Sequence, residues 1–362
     1  MTQDHAWRDL QHRLEQHGAR LEKTSFDNLT GFAAGDHLAA LETFFATATA
    51  LANATCATRP AAPPDPRFIA LCKAMPSLSR PRSNPDAKTF FEAHFSPWRI
   101  TRDPPNGFLT GYYEPEIAAS LVQTPEFRAP VLPRPADLSV VRPYPARSEI
   151  EARIAPRDSR ALVWLADAVE VFLVQVQGSA RVRLQDGRLL RLAYAGRNGR
   201  PYTSIGRILI EDGAIPEPEM SLARLKHWLR KAGLEPGQAG RAVMQRNDSY
   251  VFFKLDATLD AAAGPVGAAG VSLTPLRSIA VDRNLWFYGL PFWIDAALPW
   301  RGPATTPFRR LMVAQDTGSA ILGPARADIF FGWGDEAGVR AGGIRHPAEF
   351  TVLLPAGIGD DG

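Results

Sequence analysis

The chain has 362 residues, longer than a single hydrophobic core usually organises, so two domains are the first expectation. Hydrophobic residues make up 45% and charged residues 22%, the balance of a folded globular protein. The 41 basic residues are interspersed with 38 acidic ones for a net charge of +3, which excludes the one-sided basic surface of a nucleic-acid-binding protein.

From the amino terminus, Met1 to Leu14 is polar and helix-like, with neither the apolar core nor the cleavage site of a secretory signal. Nowhere do about eighteen apolar residues run together, so no transmembrane helix is predicted. Asp36 to Ala52 places Leu38, Leu41, Phe45 and Ala48 at helical spacing, and Asp86 to Phe95 does the same with Phe90, Phe91 and Phe95. Between them, the proline-rich Arg59 to Arg67 reads as a connector. Cys56 and Cys72 are too few for a disulfide framework; one bridge and two buried thiols are both open. The 31 prolines and 29 glycines favour many short strands.

From Gly107 the pattern turns to strands. Val171 to Gln177 alternates and predicts a strand leading towards a turn at Asp186-Gly187, and Arg181 to Arg200 reads as the solvated face of a β-ribbon. Helices are predicted at Ile205 to Ile210 and at Ser221 to Leu229, with Ser221 as N-cap and Gly233 just past the end. A strand follows at Tyr250 to Leu255, then a small, flexible stretch at Ala261 to Gly270. Strand-like runs around Ile279, Phe287, Met312 and Phe350 complete a mainly β chain with flanking helices and no internal repeat.

Three features carry chemistry. In Thr110-Gly111-Tyr112-Tyr113-Glu114-Pro115, paired tyrosines offer flat faces and hydroxyls suited to sugar rings, although a strand end with one buried tyrosine explains the same residues. Gln175-Val176-Gln177-Gly178-Ser179 and Tyr194-Ala195-Gly196-Arg197-Asn198-Gly199 set amides and hydroxyls beside glycines, which fits ligand approach or plain hairpin turns. The third is the set Asp282, Asp316 and Asp328. Asp316 ends an apolar run, where burial can raise a carboxyl pKa as a general acid requires; a turn-forming role is the alternative. Asp316-Thr317-Gly318 also matches the aspartic-protease triplet, but a second copy is missing and that chemistry would need a dimer. The seven histidines form no metal-spaced pair, no serine sits in a nucleophile elbow, and the glycine spacing fits no nucleotide loop. No cofactor, metal or nucleotide is expected.

Together, Thr110-Gly-Tyr-Tyr-Glu-Pro, Gln175-Val-Gln-Gly-Ser, Tyr194-Ala-Gly-Arg-Asn-Gly with Tyr202 and Ser204-Ile-Gly, Met244-Gln-Arg-Asn with Tyr250-Val-Phe-Phe-Lys, and the three aspartates resemble the membrane-bound lytic murein transglycosylase A family. The resemblance runs in order from about Phe90 to Phe350. It implies a double-psi β-barrel formed by residues 1–110 and 245–362, with a smaller β-barrel inserted at 111–244 and a groove between them for a glycan strand. It places the catalytic aspartate at Asp316, supported by Asp282 and Asp328, and substrate contacts at Thr110, Gly111, Tyr112, Tyr113, Gln177, Gly178, Ser179, Tyr194 and Tyr202. The implied substrate is peptidoglycan, cut at the β-1,4 bond between N-acetylmuramic acid and N-acetylglucosamine with formation of a 1,6-anhydro ring. A hydrolytic muramidase and a non-catalytic peptidoglycan-binding protein are the alternatives. The implied location is the periplasm at the outer membrane, although the lipoprotein signal and anchor cysteine of family members find no match here.

Overall fold

The computed structural model describes residues 3–55, 57–78, 80–103, 107–141, 143–155, 157–257 and 260–359. The first stretch contributes helix α1 (Gln3–Glu15), strand β1 (Ala19–Lys23), helices α2 (His37–Ala52), α3 (Pro66–Ala74) and α4 (Asn84–His94), and strands β2 (Phe95–Arg102) and β3 (Gly107–Glu114). Then come β4 (Glu116–Ala119), β5 (Ala129–Val131), α5 (Arg147–Ala152), β6 (Val163–Leu165), α6 (Ala168–Gln177), β7 (Ala180–Leu184), β8 (Leu189–Arg197), α7 (Ile205–Glu211), α8 (Leu222–Lys231), α9 (Ala239–Gln245) and β9 (Val251–Asp256). The last stretch holds β10 (Ser278–Val281), β11 (Pro291–Leu298), β12 (Thr306–Asp316), β13 (Arg326–Trp333), α10 (Gly334–Gly342) and β14 (Arg345–Pro355). The helix starts follow local chemistry: Asp36, Ser83 and Ser221 accept from backbone amides in the first turns of α2, α4 and α8.

Two units result, Met1–Tyr113 with Ala263–Gly332 and Glu336–Gly362, and Glu114–Ala262 with Trp333–Asp335. The insert therefore extends past the boundary expected near residue 245. The cause is β9, which pairs along its length with β8 and keeps the chain in the insert until Ala262.

In the first unit the strand order β14-β11-β12-β10-β13-β3 closes on itself through β14–β3 pairing, giving a six-stranded barrel, and β2 and β1 extend it from β14. β10 and β12 run parallel, whereas β11–β12, β10–β13 and β14–β3 are antiparallel. The core of this unit includes Ile279, Phe292, Ile294, Met312, Val313, Ile329 and Val352, joined by Phe44, Phe68 and Phe91 of α2 to α4. Phe287, expected on a strand, lies in the turn between β10 and β11, its ring edge-on to Phe68 at 4.9 Å. A hydrophobic residue filling a core from a loop gives the same local signal as one on a strand. Cys72 on α3 is a free, buried thiol, pushed up to about 12 by burial; Cys56 lies outside the described residues.

The insert contains a sheet β4-β7-β8-β9 and a ribbon β5-β6. Ser120 and Trp164 exchange backbone hydrogen bonds of 3.0 and 2.8 Å, and Phe253 N–H donates to Leu132 O at 3.1 Å. These bridges join the ribbon to both edges of the sheet, so the six strands form a small ring. The Val171 to Gln177 run is not a strand but the body of α6. Asp167 accepts from the Val169 and Glu170 amides, and Gly178, at φ +85, ends the helix in the left-handed region. Caps at both ends outweigh the β preference of the valines.

The basic ribbon is not wholly solvated either. Arg181 and Arg191 lie directly opposite each other on β7 and β8, and both are buried around Glu114. Arg181 Nε donates to Glu114 at 3.0 Å, and Arg191 donates from Nε at 2.7 Å and Nη2 at 3.0 Å. Glu114 is completely buried. Glu114→Ala should destabilise the insert by roughly 3–5 kcal/mol, because two buried guanidiniums lose their counter-charge. Urea unfolding of the variant checks it, and an unchanged midpoint would refute the role assigned to this network.

Candidate active site

The apolar β12 ends on Asp316, and its register explains where that side chain goes. Ile279 on β10 pairs with Ala314, but Ala280 pairs with Asp316, so Gln315 is an extra residue in β12. A bulge of this kind re-aims the side chains around it. Gln315 turns into the core, where its Nε2 donates to Thr43 O at 3.0 Å and Thr47 Oγ1 at 2.7 Å. On the other side of β10, Ala280 pairs with Asp328 of β13. Residues directly opposite on neighbouring strands face the same way, so Asp316 and Asp328 flank the Ala280 methyl. Two strand spacings put their backbones about 10 Å apart.

The two carboxyl groups have different surroundings. Asp316 is 8% exposed, and its oxygens accept from three donors: Arg59 Nη2 at 2.8 Å, the Ala268 amide at 3.0 Å and the Tyr112 hydroxyl at 3.0 Å. Burial, reinforced by Asp316 and Asp328, holds the Tyr112 hydroxyl well above its ordinary pKa, so it stays protonated and donates. The Ala268 amide reaches Asp316 because the preceding turn is tightly packed: a Cβ on Gly267 would lie 2.7 Å from Gln315 O. Ala261 to Gly270, read as small and flexible, thus contributes small residues where the chain must come close.

Asp328 makes one strong bond, accepting at 2.7 Å from the Thr110 hydroxyl, which in turn accepts from Arg326 Nη2 at 2.8 Å. Burial pushes its pKa up to about 6, with a smaller push from Asp316, against the lowering effects of Thr110 and Arg326. Asp282, by contrast, holds turns: it accepts from the Asn284 amide at 3.0 Å and the Gly323 amide at 2.8 Å, and is 2% exposed. Neither bond leads to the other two aspartates.

Of the remaining expected residues, Thr110 and Tyr112 join the aspartates, whereas Gly111 and Tyr113 pack against α10. A Cβ on Gly111 would lie 2.8 Å from Ala341, and one on Gly338 would lie 2.7 Å from the Tyr113 ring. Gln177, Gly178 and Ser179 form the end of α6 in the insert, Tyr194 is on β8, and Tyr202 precedes α7. Arg59, the Ala268 amide and Arg326 were missed as site groups. Arg59 lies in the proline-rich connector 257 positions from Asp316, where nothing local marks it. Among the described residues no group of three or more His, Cys, Asp or Glu is placed to hold a metal.

Residues 108–254 match the family model for the MltA specific insert domain, and residues 277–354 match the 3D domain. The crystal structure of a membrane-bound lytic murein transglycosylase from Agrobacterium tumefaciens is 32% identical, with a TM-score of 0.81 over 92% of this chain and 97% of that one. The chain belongs to the membrane-bound lytic murein transglycosylase A family. The Vibrio cholerae family member named membrane-bound lytic murein transglycosylase A is 33% identical over 67% of this chain and 63% of its own length, so the chain spans less than two thirds of that relative. A crystal structure of Escherichia coli MltA with bound chitohexaose is 29% identical, with a TM-score of 0.62 over 80% of this chain and 83% of that one.

The Asp328 environment has a measurable consequence. Its folded-state value lies above the ordinary carboxyl value of 3.8, so the folded protein binds this proton more tightly than the unfolded chain. Stability from this group is full at low pH and is lost as pH rises towards and through about 6. Asp328→Asn should therefore melt with the wild type near about pH 3 and above it near about pH 8. Thr110→Val, which removes a bond to the ionised form, should raise the Asp328 value further, as read by carboxyl-carbon NMR titration.

Proposed function

We propose that the chain is a peptidoglycan lytic transglycosylase in which Asp328 carries the catalytic proton and Asp316 remains a fixed negative charge beside it. This moves the acid from Asp316, where the sequence put it. The observation that carries the reading is the contrast within the pair: one carboxyl group has its pKa pushed up to about 6, and the other is met at both oxygens by donors. Family membership supports the substrate class, and the chitohexaose complex of the Escherichia coli protein supports binding of a β-1,4-linked amino-sugar chain.

In the proposed reaction Asp328 gives its proton to the glycosidic oxygen as the bond from C1 of N-acetylmuramic acid breaks, and N-acetylglucosamine leaves with a free 4-hydroxyl. The Asp316 carboxylate offsets the positive charge that develops on the sugar ring. The C6 hydroxyl of the same residue attacks C1, and its proton passes to the Asp328 carboxylate. This closes the 1,6-anhydro ring and returns the acid to its starting state. One proton carrier suffices because the nucleophile is intramolecular, which also supplies the proximity term. A hydrolytic muramidase would need a second carboxylate to activate water. Asp316, engaged by Arg59, Tyr112 and the Ala268 amide, is poorly placed to do so. The proposed setting is murein turnover in the periplasm, at the outer membrane.

Asp328→Asn should keep the fold and reduce turnover at least about 100-fold, the lower range for loss of a general acid. Digestion of sacculi in ¹⁸O-labelled water should give muropeptides with unlabelled, non-reducible ends, read by mass spectrometry. Labelled, reducible ends would mean that water attacks, and wild-type rates for Asp328→Asn would return the acid to Asp316.

A further inference from the structure

The insert holds a cavity of about 290 Å³ bounded by its own residues. Ala168 and Val171 of α6, Ile154, Leu234 and Met244 give it an apolar wall, with the Tyr250 ring among them. Its polar groups are unusual for a core. Arg147 is 2% exposed, its guanidinium lying between Phe172 at 4.6 Å and Tyr250 at 5.2 Å while donating to Asn247 O at 3.0 Å and Ser249 O at 2.6 Å. Gln175 of α6, 5% exposed, bonds the hydroxyl of Tyr250, whose ring is part of the wall.

The charges at the opening are unequal. Arg128, Arg147 and Arg241 all line it, and Glu151 is the acid that faces the last two, at 3.4 and 3.9 Å. Asp167 is taken by Arg230 at 2.8 Å, and Glu235 adds one further negative charge at the rim. Arg128 has no ion-pair partner among the described residues. Three guanidiniums against two available carboxylates leave room for one negative charge. A single negative charge beside an apolar wall describes the carboxylate end of a peptide better than a phosphate. The volume, at the low end for ligand pockets, admits a piece of roughly dipeptide size and not a glycan strand.

We propose that this cavity in the insert binds the free carboxylate end of a short peptide, with Arg128 and Arg241 pairing the carboxylate and the apolar wall taking a small aliphatic side chain. The choice of peptide rests on the peptidoglycan reading, since its glycan strands carry short peptides. The cavity uses none of the residues assigned to bond cleavage.

Calorimetric titration of the intact protein with diacetyl-L-lysyl-D-alanyl-D-alanine tests the site, with the C-terminal amide of the same peptide as control. The acid should bind saturably and the amide at least about tenfold more weakly, the ratio expected when about 1.4 kcal/mol of charge pairing is lost. The double variant Arg128→Gln, Arg241→Gln should lose the preference for the acid while cutting peptide-free glycan at the wild-type rate. No saturable binding, equal binding of acid and amide, or full affinity in the double variant would overturn the proposal. Because binding is read without turnover, failure of glycan cleavage would leave this result intact.

Discussion

The departure from register between β10 and β12, where Gln315 is passed over and Asp316 comes opposite Ala280, is the constraint on which the site depends. A regular ladder would put Gln315 in that row and send Asp316 to the opposite face, since successive side chains on a strand alternate. The bulge is held in place from the core side. Gln315 bonds Thr43 and Thr47 of α2 and meets the Ser278 hydroxyl, so the helical layer fixes the position of a carboxylate it does not touch. Ala280 matters for its size: a larger residue there would fill the space between the two carboxyl groups.

Around this row, the barrel supplies donors from distant parts of the chain. Thr110 and Tyr112 come from β3, alternate residues that face the same side and reach Asp328 and Asp316 respectively. Gly111 between them lets β3 press against Ala341 of α10. The paired-tyrosine motif is therefore divided by strand alternation, with Tyr112 in the site and Tyr113 on Gly338.

Much of this was legible in the sequence, for reasons that can be named. The α2 and α4 periodicities, the Asp186-Gly187 turn and the Ser221 cap are local signals, and each appears where local chemistry puts it. Asp316 stood out because a polar residue ending an apolar run is conspicuous, and Asp282 and Asp328 joined it through the family resemblance. The different surroundings of Asp316 and Asp328 were not legible, since they are set by Arg59, Thr110, Tyr112 and Ala268, brought near by barrel closure. The α6 valines misled because alternation over a short run does not separate a strand from a buried helix. Arg181 and Arg191 misled because cross-strand register, which places both on Glu114, leaves no trace in the spacing of basic residues.

The closing strand β14 also follows every other strand of the barrel in the chain. It pairs with β2, β11 and β3, so each of those strands keeps an open edge until Arg345 to Pro355 has been synthesised. The insert, whose ring uses only residues between β4 and β9, has all its partners far earlier. Closure of the barrel thus waits until β14 has been made. A chain cut short before Arg345 presents unpaired strands, the kind of edge that invites aggregation and proteolysis, and never encloses the aspartate row.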